Sequence, residues 1–139
     1  MGSVILEVKD FVLDEKKIER FGFAGRTQTK INFDFDVIKS GEISEEINAI
    51  FRVTLDVEIL DSDKEEDNVI ASILVELQVA SFVHNIEEVN LDDPSEEHLD
   101  MAISQLYPVT RSVIANDLQY IKLDHNHLPF NLNWTLNSR

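Results

Sequence analysis

The fold is decided by residues 93–123, which have the sequence DPSEEHLDMAISQLYPVTRSVIANDLQYIKL. Asp93, Pro94 and Glu96 indicate a helix start: an acidic N-cap, proline at the first helical position, and a carboxylate that reaches back to free N–H groups. Apolar residues then recur at helical spacing, which predicts an amphipathic helix; they are Leu99, Ile103, Leu106, Val109, Val113, Leu118 and Ile121. Because Pro108 lacks the N–H of a helical hydrogen bond, we expect the helix to bend or restart there.

The chain that precedes this helix is predicted to be β-strand. Apolar and polar residues alternate along it, and alternation over this length is typical of an antiparallel sheet with one solvated face. We predict four antiparallel strands with the helix on one face of their sheet: Val4–Leu13, Thr29–Ile38, Ile47–Leu60 and Asn68–Asn85. Residues 16–26 and 61–67 are predicted to be connections. The expected fold is a single α+β domain over residues 1–139, a four-stranded antiparallel sheet with a long C-terminal helix kinked at Pro108.

Composition argues against several classes of function. The chain has 139 residues and no cysteine, which excludes disulfides and thiolate metal sites. No apolar run approaches the roughly 18 residues of a membrane span, and the N-terminus lacks a basic region followed by an apolar core, so we expect a cytoplasmic protein without a membrane partner. The net charge is −15, from 27 acidic and 12 basic residues. Such a chain repels nucleic-acid phosphates and favours cationic partners.

Enzyme and metal signatures are weak. Two carboxylate pairs lie on the predicted solvent face, where solvation makes them poor acid–base catalysts: Asp34 with Asp36, and Asp56 with Glu58. No nucleophile elbow or glycine-rich phosphate loop is present. His125 and His127 would share a face of an extended segment, but two histidines do not complete a metal site and a polar turn explains them better. We expect no enzymatic activity and no cofactor.

The chain carries more apolar surface than one layer of helix on sheet buries. The strand Asn68–Asn85 has apolar residues on both faces, and the tail has them at alternate positions from 128 to 134. This excess favours a homo-dimer or homo-tetramer, joined through the helix stripe or the first strand, and a surface for extended polypeptides. We predict an ATP-independent holdase chaperone that binds non-native polypeptides through apolar side chains. The candidate client contacts are Leu74, Phe82, Tyr107, Phe130 and Trp134.

A second class of function stays open at this point. The same order of strands and helix permits a small-molecule-binding domain with an apolar cavity between a curled sheet and the C-terminal helix. Its outer sheet face would be polar throughout, and Leu74 and Phe82 argue against that.

Four stretches resemble a known family. Residues 106–111 (LYPVTR), 116–117 (ND) and 128–132 (LPFNL) resemble the SecB family of protein-export chaperones. That family has a Leu-aromatic-Pro-x-x-Arg stretch on a long helix and a Leu-Pro-x-Leu-Asn-Leu-type segment after it. Residues 74–78 (LVELQ) resemble the family's Leu-x-Glu-x-Gln strand. The resemblance covers roughly Asn68–Trp134, and before that only the order of the elements.

The resemblance implies a SecB-like fold, a groove for non-native polypeptide clients and a role in protein export. It also implies that Glu76, which matches the family's acidic strand residue, contacts a translocase motor ATPase. SecB proteins continue with a second helix and often a zinc-holding tail, and we expect this chain to lack both. The expected lack of the second helix and the tail is equally compatible with a SecB-like chaperone of a toxin–antitoxin system, which would have an antitoxin as its partner.

Overall fold

The computed structural model describes residues 4–63 and 68–120. These residues form four long strands, one 3-10 helical turn and one long α-helix: β1 (Ile5–Arg20), β2 (Thr27–Ser40), β3 (Ala49–Asp61), β4 (Val69–His84), the turn (Ile86–Glu88) and α1 (Glu96–Tyr120). All strand pairs are antiparallel, and the sheet has the order β1-β4-β3-β2. The predicted α+β fold, with four antiparallel strands and a C-terminal helix, is confirmed.

The strand order places β1 and β2 at opposite edges of the sheet, so the connection between them must cross one end of it. This connection, residues 21–26, is held at each end by a backbone hydrogen bond. The backbone N–H of Phe21 donates to the carbonyl of Ile70 in β4 (2.7 Å), and the N–H of Ser62, just after β3, donates to the carbonyl of Arg26 (3.0 Å). Among residues 4–63 and 68–120 the sheet therefore has two open edges, one along β1 and one along β2.

β1 continues to Arg20, whereas the sequence predicted that the first strand ends at Leu13. The pairing register with β4 shifts twice, once after Val8 and once after Leu13. Each shift is a bulge that moves the following side chains to the other face, which hides the alternation by which a strand is predicted. The charged residues that follow Leu13 are compatible with a strand because β1 is an edge strand with one solvated side.

α1 covers one face of the sheet, called the helix side below, and the opposite face is called the outer face. Helix-side residues of β3 from Ala49 to Ile59, and of β4 from Ala71 to Val79, are at most 2% exposed. α1 contributes the buried side chains Ala102, Ile103, Leu106, Tyr107, Thr110, Arg111 and Ile114. Each large apolar side chain buried here contributes roughly 1.5–3 kcal/mol to folding. This layer of helix on sheet is the core of the domain.

The start of α1 differs from its prediction by two residues. Ser95 is the N-cap: its hydroxyl oxygen accepts from the N–H of His98 (3.3 Å), and its carbonyl accepts from the N–H of Leu99 (2.9 Å). The sequence placed the cap at Asp93, but the N–H of Asp93 donates to the carbonyl of Asn90 (3.2 Å) in the preceding turn. The acidic cap prediction is therefore wrong, because Asp93 belongs to a turn rather than to the helix.

α1 runs without interruption from Glu96 to Tyr120 with Pro108 inside it, so the helix does not restart at this proline. A bend at Pro108 stays a prediction. Near its C-terminal end α1 is joined to β1 by an ion pair between Lys16 Nζ and Asp117 Oδ2 (3.0 Å). None of the helices in the described part of the chain combines the length and hydrophobicity that crossing a bilayer requires.

Candidate polypeptide-binding surface

Apolar side chains are exposed on both faces of β1. Phe11 and Leu13 point to the helix side, opposite buried residues of β4, yet they are 43% and 44% exposed. Ile5 and Val12 point to the outer face and are 52% and 60% exposed. These four residues are called the edge patch. An edge strand with apolar side chains on both faces offers side-chain contacts and unpaired backbone groups together.

The two candidate contacts on β4, Leu74 and Phe82, lie on the outer face and are half-buried. They are eight positions apart on one strand, which is about 26 Å. The register places Leu74 between Lys17 and Asp56, and it places Phe82 beside Glu7. Each apolar side chain is therefore bordered by charged ones, and the two belong to separate parts of the outer face.

A small cluster of charged and aromatic groups surrounds Phe82. Its ring packs edge-to-face against His84, with 4.8 Å between ring centroids. His84 Nε2 lies 3.4 Å from Glu7 Oε1, a contact that is ionic when the imidazole is protonated, and Lys9 Nζ lies 3.1 Å from Glu7 Oε2. The hydrogen bond and the charge of Lys9 lower the pKa of Glu7. A polypeptide that reaches Phe82 meets these charges at the same time.

Glu76, the residue matched to the family's acidic strand position, lies on the outer face in an ion pair. Arg52 Nε is 3.3 Å from Glu76 Oε1, and both side chains are partly exposed. An exposed pair of this kind is worth roughly 0–1 kcal/mol, so a cationic group of a partner is able to displace Arg52. The register places further carboxylates on the same face as Glu76, distributed along β1, β2 and β3: Glu7, Asp10, Glu15, Glu19, Asp34, Asp36, Asp56 and Glu58.

Tyr107 is not on the surface. It is 1% exposed, and its ring packs edge-to-face against Phe33 at 5.6 Å between centroids. Burial raises the pKa of the Tyr107 hydroxyl to about 12, and the charge of Arg111 opposes that rise. Tyr107 lies one helical turn after the buried Ile103, so it faces the sheet. The structure therefore places this predicted client contact in the core.

The remaining residues singled out from the sequence lie outside the described residues; they are Phe130, Trp134, His125 and His127. Within residues 4–63 and 68–120, no group of three or more histidine, aspartate or glutamate side chains is arranged to hold a metal ion.

Two exposed phenylalanines in the connection between β1 and β2 were not among the predicted contacts. Phe21 is 61% exposed and Phe23 is 84% exposed, and the guanidinium carbon of Arg20 lies 4.9 Å from the centroid of the Phe23 ring. Their signal was present in the sequence, because each phenylalanine adjoins Gly22 in a predicted connection that has no strand or helix to bury it.

Each edge strand carries an aspartate followed by a phenylalanine, and the aspartate binds the backbone of its neighbour. The N–H of Phe11 donates to Asp10 Oδ1 (2.8 Å), and the N–H of Phe35 donates to Asp34 Oδ1 (2.9 Å). An N–H that is bonded to a local carboxylate is not offered to an added strand. Both aspartates therefore protect an open edge from unwanted pairing.

The core beneath α1 contains little empty space near the start of the helix. An apolar cavity there has a volume of about 20 Å³, and its lining includes Leu6, Phe51, Val83 and Met101. That is room for about one water molecule and far below the roughly 300 Å³ of small-molecule sites. This cavity does not support the small-molecule-binding alternative.

Comparison with solved structures finds a similar fold. The chain is similar to a SecB-like chaperone of Mycobacterium tuberculosis in complex with a ChAD peptide from the HigA1 antitoxin, with a TM-score of 0.56 and 17% sequence identity. The match covers 93% of this chain and 89% of the mycobacterial chain. No protein-family model and no curated protein matches the sequence. At this level of identity the similarity shows a shared fold.

Proposed function

We propose that this chain, which has the SecB-like fold that its sequence predicted, is an ATP-independent holdase chaperone that binds non-native polypeptides. The observation that carries the proposal is the edge patch, in which Phe11, Val12 and Leu13 are exposed in succession on an open strand. Aromatic and long aliphatic side chains make strong contacts that tolerate varied geometry, which binding of unrelated unfolded chains requires.

Two further features support the same proposal. Phe21 and Phe23 add exposed aromatic surface at the end of β1, and Leu74 and Phe82 add half-buried apolar contacts on the outer face. Phe130 and Trp134 remain proposed contacts from the sequence. Because charged residues border the apolar contacts on the outer face, we expect many short contacts with a client rather than one deep groove.

The proposed partners are non-native polypeptides, and the proposed location of the protein is the cytoplasm. Two more specific partners extend the proposal. The mycobacterial chaperone with this fold is bound to an antitoxin peptide, which supports an antitoxin as one partner of this chain. The accessible carboxylate of Glu76 supports a cationic surface of a translocase motor ATPase as the other, with a role in protein export.

The edge patch also supports a homo-dimer or homo-tetramer. An edge strand with exposed apolar side chains on both faces is unusual in a monomer, because unpaired edges promote pairing with other chains. Association through β1 would bury part of the patch and leave the remaining apolar surface for clients.

Suppression of the aggregation of an unrelated denatured protein tests the proposed function. We expect wild type to suppress light scattering without nucleotide. The double variant Phe11→Ser with Leu13→Ser should lose most of this activity, whereas Lys17→Ser, an exposed change on the same strand, should retain it. Circular dichroism establishes that both variants are folded. Equal suppression by the folded double variant and by wild type would place the client site elsewhere.

A further inference from the structure

The apolar cavity beneath the start of α1 lies where the helix meets all four strands. Met101, in the second turn of α1, lines this cavity together with one side chain from each strand: Leu6, Phe35, Phe51 and Val83. Among the described residues of the lining, His98 is the only one with a polar side chain. A polar atom placed in this cavity would therefore find almost no hydrogen-bond partners.

The first turns of α1 are held on the sheet less firmly than the rest of the helix. Among residues 96–102 only Ala102 is buried, whereas residues 103–114 bury six side chains. The ion pair between Lys16 and Asp117 adds a further contact to the later part of the helix. In the first turns, the large apolar side chains are Leu99 and Met101, and both are half-buried. Packing of these turns on the sheet therefore depends strongly on Met101.

Met101 carries the only sulfur atom in residues 4–63 and 68–120, because the chain has two methionines, Met1 and Met101, and no cysteine. Its side chain packs against the core and is also in part open to solvent. Peroxides oxidise a thioether of this kind to a sulfoxide. A lone pair of the sulfur attacks the peroxide, an S–O bond forms as the O–O bond breaks, and the second oxygen leaves as water.

We propose that Met101 is an oxidation site, and that its sulfoxide releases the first turns of α1 from the sheet. The sulfoxide oxygen is a hydrogen-bond acceptor, and burial of such a group without a partner is unfavourable. The side chain therefore turns towards solvent, and residues 96–102 lose their packing on the strands. The buried residues from Ile103 onwards keep the rest of α1 in place. The change is local, and reduction of the sulfoxide reverses it.

This inference deepens the proposed function, on which its last step rests. Release of residues 96–102 uncovers Leu6, Phe51 and Val83, each of which is 2% exposed while α1 is packed on the sheet. These side chains add apolar surface at the end of the sheet where β1 begins and β4 ends, close to Ile5 of the edge patch. Oxidation of Met101 should therefore increase the binding of non-native polypeptides.

Treatment with hydrogen peroxide tests the proposal, with peptide mass spectrometry to locate the added oxygen. Met101→Leu is the matched control: it conserves the side-chain volume, removes the sulfur and keeps Met1, Trp134 and every histidine as other targets of the oxidant. Met101→Gln places a polar group at the same position without any oxidant. We expect folded wild type to gain an oxygen atom at Met101.

Hydrogen exchange measures whether the first turns are released. In oxidised wild type and in untreated Met101→Gln, the amides of residues 99–102 should lose at least about tenfold in protection, whereas those of residues 109–114 should stay within about twofold of untreated wild type. Peroxide-treated Met101→Leu should resemble untreated wild type. Methionine sulfoxide reductase should restore the protection of oxidised wild type.

Three results would overturn the oxidation site. They are no oxygen at Met101 under conditions that oxidise the same residue in a short peptide, unchanged protection of residues 99–102 once Met101 is oxidised, and an equal loss of protection in treated Met101→Leu.

The aggregation assay tests the functional step separately. Oxidised wild type should suppress aggregation at a lower protein concentration than untreated wild type, and treated Met101→Leu should show no such gain. Equal suppression by oxidised and untreated wild type would overturn the functional step, and the proposed function would stand. If untreated wild type does not suppress aggregation, the proposed function itself fails, and hydrogen exchange still decides whether oxidation releases α1.

Discussion

Two hydroxyl groups in the core differ in how they are satisfied. The Thr110 hydroxyl donates to the carbonyl of Tyr107 (2.6 Å), one turn earlier in α1. Ser81 in β4 is completely buried, and its hydroxyl has no hydrogen-bond partner among the described residues. A buried hydroxyl without a partner costs free energy, because it has lost its bonds to water without replacing them.

Replacement of Ser81 by alanine should therefore stabilise the fold. We expect Ser81→Ala to raise the free energy of unfolding by about 1 kcal/mol, since it removes the unsatisfied group and leaves almost no cavity. Ser72→Ala, on the partly exposed outer face of the same strand, should change it by less than about 0.5 kcal/mol. Urea unfolding measures both, and a clear loss of stability in Ser81→Ala would show that the hydroxyl is satisfied.

The buried hydroxyl of Tyr107 predicts a pH dependence at alkaline pH. Burial raises its pKa from 10.0 to about 12, so the folded state keeps its proton at a pH where the unfolded state loses it. The contribution is fully present below pH 10 and is lost as the pH rises towards 12, at up to about 1.4 kcal/mol per pH unit.

The difference in unfolding free energy between wild type and Tyr107→Phe isolates this effect. Relative to the variant, wild type should lose stability between pH 10 and 12 and not between pH 7 and 9. A difference that is constant up to pH 12 would mean that Tyr107 titrates normally.

The strands differ in how well their sequences predict them. β3 and β4 were predicted within two residues at each end, because one face of each is buried and every second side chain is apolar. β1 was predicted too short, since its two bulges shift the register, and bulges have no clear signal in a single sequence.

The features of the candidate site also differ in how far the sequence predicts them. The position of Leu74 and Phe82 on the outer face follows from the alternation of β4. The burial of Tyr107 also follows from helical periodicity, because Ile103, Tyr107, Thr110 and Ile114 share one face of α1. By contrast, the hydrogen bond from the N–H of Phe35 to Asp34 depends on β2 lying at an edge of the sheet. The order of strands in the sheet is a tertiary property, and alternation does not encode it.

The continuous helix through Pro108 leads to a prediction for α1. A proline inside a helix removes one hydrogen bond and crowds the preceding turn. We expect Pro108→Ala, at an exposed position, to straighten α1 and to raise the free energy of unfolding by up to about 3 kcal/mol. Ser112→Ala, one turn later and also exposed, is the control and should have a much smaller effect. Lower stability of Pro108→Ala in thermal unfolding would mean that packing of α1 depends on the proline.

Taken over the whole chain, charge and apolar surface are distributed unevenly. The basic segment 16–30 leads to the end of the sheet where β4 begins, and the acidic segment 86–100 follows the end where β4 stops. The edge patch lies along β1, which is one of the two outer strands of the sheet.

The apolar edge of β1 predicts that the protein self-associates. We expect sedimentation equilibrium at micromolar concentration to give two or four times the chain mass of 15.9 kDa. Phe11→Ser with Leu13→Ser should shift the equilibrium towards the monomer, and Lys17→Ser should not. A monomer at all concentrations would exclude the proposed dimer and tetramer.

Titration calorimetry of the protein with a permanently unfolded polypeptide decides whether this fold binds non-native chains. We predict saturable binding with a negative heat-capacity change, because apolar surface is buried, and the same affinity with and without ATP. The double variant Phe11→Ser with Leu13→Ser should bind markedly more weakly, and folded control protein added in place of the unfolded chain should give no heat of binding. Absence of binding by wild type, or binding that requires ATP, would contradict the account.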